Sequence, residues 1–221
     1  PFIVSLLPEG WLESVLRDQG DERALLRSGR RYLSNITVAK DRAELLALWP
    51  LCKFPVIYDH ERQRSLAESS IIIEYLDQYF SLTHKMIPAN FNDALEVRLW
   101  DRIFDNYVQG PMQEIVNDKL RGTNGDLSSA RSTLETAYAM IDRQVASKDW
   151  CVGEDFSMAD CAAAPALFYA STLQAFPHHY VHLNAYFERL MNRPSVRRVL
   201  EEAKPYFSFY PFSDAIPARF R

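Results

Sequence analysis

The residues whose types and order best suit ligand binding lie between positions 50 and 76, in the run PLCKFPVIYDHERQRSLAESSIIIEYL. Its order predicts a proline-containing turn, a short apolar strand at Val56–Tyr58, a polar hairpin at Asp59–Arg64, and an amphipathic helix opened by Glu68 and Ser69. The backbone N–H groups at a helix N-terminus can hold a carboxylate, and a glutamate beside them can meet an amine. The pattern therefore indicates a site for a ligand that has both groups at one end, such as an α-amino acid.

Short strands and helices alternate in the first 80 residues, which is typical of a small α/β unit. We expect strands at Phe2–Leu7, Leu33–Ala39 and Val56–Tyr58, and helices at Trp11–Arg27, Arg42–Leu48 and Ser69–Phe80. Residues 81–92 have little periodicity and are predicted to be a linker. The sequence thus predicts a domain at 1–80 and a second domain at 93–221.

The second region is almost wholly helical in pattern, with helices expected at Asp93–Leu120, Ser128–Lys148, Leu183–Met191 and Ser195–Lys204, and a loop at Gly122–Leu127. Pro111 should kink or divide the first helix. Ser157 and Asp160 form a capping-box pattern before Cys161–Phe168, which is apolar nearly all round, as in a central buried helix. The tail Pro205–Arg221 lacks a helical period, and we expect its aromatic side chains to pack across the protein surface.

The segment from 50 to 76 resembles the second half of the thioredoxin-like domain of glutathione transferases. The α/β region followed by helices is similar to that family's two-domain plan, and the Ser157…Asp160 box resembles its folding motif. The resemblance covers about residues 32 to 205. It implies an α/β thioredoxin-like domain followed by an all-α helical-bundle domain.

The resemblance also implies glutathione as the co-substrate and assigns roles to five residues. Pro55 takes the place of the family's cis-proline, and the backbone of Phe54 pairs with the cysteinyl part of glutathione. Glu68 and Ser69 bind the γ-glutamyl end, and Lys53 lies near the glycyl carboxylate.

The implied reaction is the addition of the glutathione thiolate to a hydrophobic electrophile, a detoxification chemistry. By resemblance, Phe104, Tyr107 and Met112 line the electrophile pocket, although core packing is the ordinary expectation for side chains on this long helix. A homodimer is also implied. Asp101 and Asp105 either approach the ligand of the partner subunit or, more simply, lie on a solvated helix face.

A thiolate-stabilising hydroxyl or thiol is expected in the loop after the first strand, where it lowers the pKa of the glutathione thiol from about 8.5. Bacterial members have Ser-Pro or Ser-x-x-Cys there, whereas this chain has SLLPEGWLESVLRDQG from Ser5 to Gly20. Counting back from Gly29 and Tyr32 makes Ser14 the candidate. A first strand at Phe2–Leu7 would instead put the loop at Leu7–Trp11, which has no hydroxyl or thiol. An ordinary N-cap or solvated helix serine is the alternative interpretation of Ser14.

Two other functions remain open. The unusual first thirty residues favour a non-catalytic dimer with this fold that acts as a scaffold or regulator. A glutathione-dependent oxidoreductase would use Cys52, which lies where many relatives have Gly and is more simply a partly buried turn residue. The chain has no Cys-x-x-Cys pair for a dithiol mechanism.

Composition excludes several classes of protein. The net charge of −4 argues against a protein that binds nucleic acid by neutralising phosphates, and no apolar run approaches the ~20 residues of a membrane span. The first seven residues lack the features of a signal peptide. The three cysteines are widely spaced, so we expect neither disulfides nor a metal site, and a cytoplasmic location. His178, His179 and His182 are expected to be solvated rather than metal ligands.

Overall fold

The computed structural model describes residues 39–53, 55–59, 61–80 and 85–221; the side chains of residues 39–41 and 44 are not described. The chain divides into two compact units, of which the first ends at Met86 and the second is Ile87–Arg221. The strand expected at Phe2–Leu7 and the helix expected at Trp11–Arg27 lie outside the described residues.

The described part of the first unit contains two helices and a hairpin: α1 (Ala39–Leu48), β1 (Val56–Asp59), β2 (Arg64–Ala67) and α2 (Ser69–Phe80). The strand predicted to end at Ala39 is wrong at that residue, because Ala39 is already helical. Helix α2 buries Ile72, Ile73 and Leu76 on one face, as its apolar spacing predicts.

The hairpin pairs β1 with β2 in antiparallel register, with Val56 opposite Ala67 and Asp59 opposite Arg64. Strand β2 was not predicted, because Arg64 and Ser65 are exposed and Leu66 is its single buried apolar side chain. A four-residue strand with one apolar position gives too little alternation to be recognised from sequence.

A long helical stretch opens the second unit and comprises α3 (Phe91–Ile103), a π-helical segment (Phe104–Gln109) and α4 (Gly110–Arg121). The Asn90 side chain caps its start by accepting from the N–H groups of Asn92 and Asp93 at 2.9 and 3.2 Å. Helix α3 therefore begins two residues before the predicted Asp93.

Pro111 was predicted to kink or divide the helix, and the structure has a π-helical segment just before this residue. Pro111 has no N–H and its ring crowds the carbonyl four residues earlier, so a regular α-helix is disfavoured there. The wider turn inserts an extra residue, and the Gly110 N–H donates to the carbonyl of Asp105 five positions back. The chain then continues into α4 without a break.

The second unit continues with α5 (Ser128–Gln144), which packs against α4, and α6 (Met158–Leu173), which packs mainly against α3 and the π segment. Helix α5 ends four residues before the predicted Lys148. The predicted capping box of α6 is present, and the Ser157 N–H donates to the Asp160 carboxylate at 2.8 Å. Residues 158–168 are all buried, which confirms a central apolar helix.

The second unit ends with α7 (Val181–Asn192), α8 (Pro194–Ala203) and three short 3-10 turns at Lys204–Phe209, Ser213–Ala215 and Ala218–Phe220. The tail is therefore more regular than its sequence pattern indicates. Phe207 and Ile216 are buried, and the rings of Phe207 and Phe220 lie 6.0 and 5.4 Å from that of Phe168. The expected packing of the tail on the protein surface is confirmed.

Candidate functional site

The candidate ligand site of the first unit lies where the hairpin meets the start of α2. Pro55 directly precedes Val56, which pairs with Ala67, and Ala67 is followed by Glu68. The hairpin register therefore brings the Pro55 turn and the Glu68–Ser69 pair to the same end of the two strands. Lys53 is exposed and Pro55 is half-buried, while Phe54 lies outside the described residues.

Glu68 is the residue from which α2 begins. Its carbonyl accepts the first helical hydrogen bond from the Ile72 N–H at 2.9 Å, and its side chain is exposed. Its backbone has φ +69°, a left-handed conformation that is disfavoured for residues with a Cβ atom. Ser69 is half-buried in the first turn of α2, beside backbone N–H groups that have no partner within the helix itself. This end of α2 can accept an anionic group, with a carboxylate next to it.

A buried carboxylate ties the far end of the hairpin to α2. Asp59 accepts a short hydrogen bond from the Tyr75 hydroxyl, and it accepts from the backbone N–H and the guanidinium of Arg62 at 2.9 and 3.1 Å. The Arg62 guanidinium lies over the rings of Tyr79 and Phe80, 4.4 and 5.8 Å from their centroids. We call Asp59, Arg62, Tyr75 and Tyr79 the hairpin latch.

The latch shifts the pKa values of its members in opposite directions. Burial works against the charged form of Asp59, but the hydrogen bonds from Tyr75 and Arg62 prevail and lower the pKa of that carboxyl below 3.8. Burial, and then the hydrogen bond to Asp59, raises the pKa of Tyr75 to about 12. Sequence reasoning missed this cluster, since nothing in a single sequence indicates that Asp59 and Tyr75 meet.

Cys52 lies in the turn after α1, where its N–H donates to the Trp49 carbonyl at 2.9 Å. The side chain is half-buried, which confirms the simpler interpretation of a turn residue. Its φ of +52° is a conformation that glycine adopts most easily. This agrees with the resemblance, by which many relatives have Gly here.

The three residues predicted to line an electrophile pocket differ in exposure. Phe104 and Met112 are buried in the helical unit, whereas the Tyr107 side chain in the π segment is 53 % exposed. The core packing expected for Tyr107 is therefore wrong, and among these three residues Tyr107 alone presents substantial surface to a ligand. π segments interrupt helices often at functional sites.

The solvated face expected for Asp101 is wrong, because this residue is buried. Its carboxylate is paired with the Arg102 guanidinium at 2.6 Å, and the same guanidinium reaches Asp105 at 2.7 Å. The sequence signal for this pair is weak, since acidic and basic neighbours on a helix are usually solvated. Asp105 is more exposed than Asp101.

Ser14, the candidate for thiolate stabilisation, lies outside the described residues. Within the described ranges, no group of three His, Cys, Asp or Glu side chains could hold a metal ion. His178, His179 and His182 are exposed. In the part of the chain that the structure describes, no helix is both long and apolar enough to cross a membrane.

Comparison with known proteins agrees with the fold. The family model for the glutathione S-transferase N-terminal domain matches residues 24–84, and the model for the glutathione S-transferase C-terminal domain matches residues 115–194. The chain belongs to the glutathione transferase family. Its fold is the one predicted, a thioredoxin-like domain followed by an all-helical domain.

Individual relatives are distant. Glutathione S-transferase GstB of Escherichia coli (strain K12) is 24 % identical over 162 residues, which cover 72 % of this chain and 78 % of the relative. FtsZ-localized protein A of Caulobacter vibrioides is 27 % identical over 175 residues, covering 73 % and 76 %. A glutathione S-transferase structure from Methylobacillus flagellatus with GSH bound has a TM-score of 0.59 and 25 % identity, covering 70 % and 79 %.

Proposed function

We propose that this protein is a glutathione-dependent transferase that adds the glutathione thiolate to a hydrophobic electrophile. Family membership supports the proposal, and the single observation that carries it is the junction of Pro55, Glu68 and Ser69. One end of a short hairpin holds a carboxylate and a hydroxyl at a helix N-terminus next to the proline turn. That combination matches a ligand with an α-amino acid end and a peptide backbone.

Glutathione is proposed to bind through both of its ends. The α-carboxylate of the γ-glutamyl group accepts from the Ser69 hydroxyl and from N–H groups at the start of α2, and its ammonium meets Glu68. The Phe54 backbone pairs with the cysteinyl part, beside Pro55. Lys53, whose side chain is exposed, neutralises the glycyl carboxylate.

The proposed chemistry requires the glutathione sulfur as a thiolate. The Ser14 hydroxyl donates a hydrogen bond to the sulfur anion, which lowers the pKa of the thiol from about 8.5. The thiolate then forms a carbon–sulfur bond with the electrophile, and a leaving group departs with the bonding electrons or an adjacent carbon takes them up. The protein acts by stabilising the nucleophile and holding two substrates together. Tyr107, which is 53 % exposed, is the proposed electrophile contact in the helical unit, whereas the buried Phe104 and Met112 pack in the core behind it.

The protein is further proposed to work as a homodimer in the cytoplasm. Helix α3 exposes an apolar stripe at a spacing of four residues, with Phe91 74 %, Leu95 54 % and Leu99 55 % exposed. Such a stripe on one helix favours association with another protein surface, and the family resemblance makes a second copy the proposed partner. Free thiols at Cys151 and Cys161 suit a reducing compartment.

A second candidate function is a non-catalytic scaffold or regulator with the same fold. Two observations favour it. The relative from Caulobacter vibrioides is named for its localisation with FtsZ and not for a transferase activity. The segment that should supply the thiolate-stabilising residue also departs from the family pattern.

Steady-state conjugation assays separate these candidates. The wild-type protein is assayed with reduced glutathione against aryl halides, epoxides and enals, beside Ser14→Ala and the control Ser132→Ala, an exposed helix serine. A transferase gives turnover, which Ser14→Ala lowers about 100-fold in kcat at a similar KM for glutathione, while Ser132→Ala leaves it unchanged. Absence of turnover across the panel would contradict the transferase and favour the scaffold.

A further inference from the structure

The hairpin latch lies at the opposite end of the hairpin from the candidate ligand site. Asp59 pairs with Arg64 at the turn end of β1 and β2, whereas Val56 pairs with Ala67 at the site end. The hairpin is therefore held against α2 by an attachment near each of its ends. One is the covalent link through Glu68, and the other is the hydrogen bond from Tyr75 to the Asp59 carboxylate.

An attachment near each end fixes the orientation of the hairpin relative to α2, whereas a single attachment would leave that orientation free. A hairpin joined to a helix only through one residue can pivot there, because a single residue has two rotatable backbone torsions. Tyr75 lies about two turns into α2. Its contact with Asp59 therefore forms the third side of a triangle, of which the hairpin and α2 are the other two sides and Glu68 is the corner that joins them. Arg62 strengthens that side by bonding Asp59 and stacking on Tyr79.

Glu68, the residue that joins the hairpin to α2, has a backbone conformation that needs restraint. Glu68 has φ +69°, and an L-residue leaves this conformation when its surroundings permit. A change in φ at Glu68 would redirect its side chain and shift the first turn of α2 relative to Pro55. The residues that fix the hairpin against α2 therefore also keep the backbone of the candidate ligand site in place.

We propose that Asp59, Arg62 and Tyr75 are positioning residues for glutathione, which keep Glu68 and Ser69 in binding geometry by fixing the hairpin against α2. The proposal rests on the proposed function for the ligand and on the latch contacts for the geometry. None of these three residues is proposed to touch glutathione. Their effect is transmitted through the hairpin and the Glu68 backbone.

The test compares two substitutions that remove the same chemical group in different places. Tyr75→Phe deletes the hydroxyl that donates to Asp59, and Tyr186→Phe deletes a hydroxyl that donates to the Asp160 carboxylate at 2.6 Å in the other unit. Asp59→Asn, which keeps the size and removes the charge, is the second latch variant. For each protein we would measure thermal stability, glutathione affinity by calorimetry, and amide exchange in the first turn of α2.

Tyr75→Phe and Asp59→Asn are expected to weaken glutathione binding about tenfold, and to speed exchange of the Ile72 amide that bonds to the Glu68 carbonyl by a similar factor. Tyr186→Phe should lower the melting temperature and leave both readouts at their wild-type values. A merely structural latch would lower stability alone, and that result would overturn the proposal.

The two proposals fail in distinguishable ways. If wild-type protein binds no glutathione, the proposed function fails, and exchange of the Ile72 amide still decides whether the latch restrains the start of α2. If wild-type protein binds glutathione but the latch variants keep its affinity and exchange rates, the positioning proposal fails by itself.

Discussion

The Tyr186 hydroxyl donates a 2.6 Å hydrogen bond to the Asp160 carboxylate in the core of the helical unit. The same carboxylate accepts from the Cys151 N–H at 2.8 Å, and from the N–H and hydroxyl of Ser157 at 2.8 and 2.9 Å. Asp160 thus joins the start of α6 to α7 and to the loop at Cys151. Four donors compensate for burying a group that loses all contact with water.

Removing this carboxylate should destabilise the helical unit severely. Asp160→Ala leaves four buried donors without their acceptor, and we expect a loss of about 3–5 kcal/mol in the free energy of unfolding, measured by urea titration. The control is Asp118→Ala, which removes an exposed carboxylate that accepts from Thr123 and Gly125. Similar losses in both variants would show that the buried Asp160 network contributes no more to the free energy of unfolding than exposed hydrogen bonds do.

Glu68 should be a site where stability and binding oppose each other. Glu68→Gly removes the Cβ atom that disfavours φ +69°, so the free energy of unfolding should rise by about 1 kcal/mol while glutathione affinity falls. Gln63→Gly, at φ +48° in the hairpin turn, is the control that should retain affinity; its gain in stability should be smaller, because it also removes the hydrogen bond that Gln63 accepts from the Tyr58 hydroxyl at 3.0 Å. Thermal unfolding and calorimetry measure both effects. A Glu68→Gly protein that binds as well as wild type would contradict the assigned role of this side chain.

Acid should weaken the hairpin latch. Because hydrogen bonds from Tyr75 and Arg62 hold the pKa of Asp59 below that of an unfolded aspartate, its stabilisation is present above about pH 4 and is lost as the pH falls through the folded pKa. The difference in melting temperature between wild type and Asp59→Asn should therefore shrink between pH 5 and strongly acidic pH, roughly pH 3.

Tyr138→Phe provides the comparison for this acid titration, since the Tyr138 hydroxyl donates to the backbone carbonyl of Gln174 at 3.1 Å. A backbone carbonyl does not titrate, so the offset between wild type and Tyr138→Phe should stay constant over the same range. A constant offset for Asp59→Asn as well would rule out its carboxylate as the titrating group.

The apolar stripe on α3 should mediate the proposed dimer. Leu95→Glu places a charge in the middle of the stripe, and we expect it to convert a particle of twice 25.6 kDa into one of 25.6 kDa in light scattering. Leu120→Glu changes a leucine that is 63 % exposed on α4 and should leave the dimer intact. A wild-type monomer, or a dimer indifferent to Leu95→Glu, would contradict this assignment.

The sequence predicted the elements whose pattern is long or chemically distinctive. The spacing of its apolar residues predicted helix α2, and the capping box with Asp160 predicted the start of the buried helix α6. Both signals are local, because the residues concerned lie within a few positions of each other. The order of the elements indicated an α/β region followed by helices, and the resemblance to glutathione transferases implied the particular two-domain fold.

The features that were missed depend on contacts between distant residues or on subtle backbone geometry. Asp59 and Tyr75 are 16 positions apart, and the burial of Asp101 depends on tertiary packing. The π segment responds to Pro111, yet the sequence does not specify whether a kink, a break or an extra residue resolves the conflict. The positive φ of Glu68 is equally hidden, since glutamate rarely adopts it.

Glu68 and Ser69 at the start of α2 are proposed to bind the γ-glutamyl end of glutathione. The most direct measurement is calorimetric titration of the wild-type protein, Glu68→Ala and the control Glu114→Ala, an exposed helix glutamate, with reduced glutathione. We predict a Kd of roughly micromolar to millimolar for wild type and Glu114→Ala, and at least about tenfold weaker binding for Glu68→Ala. No binding to wild type, or equal affinity in Glu68→Ala, would contradict the account.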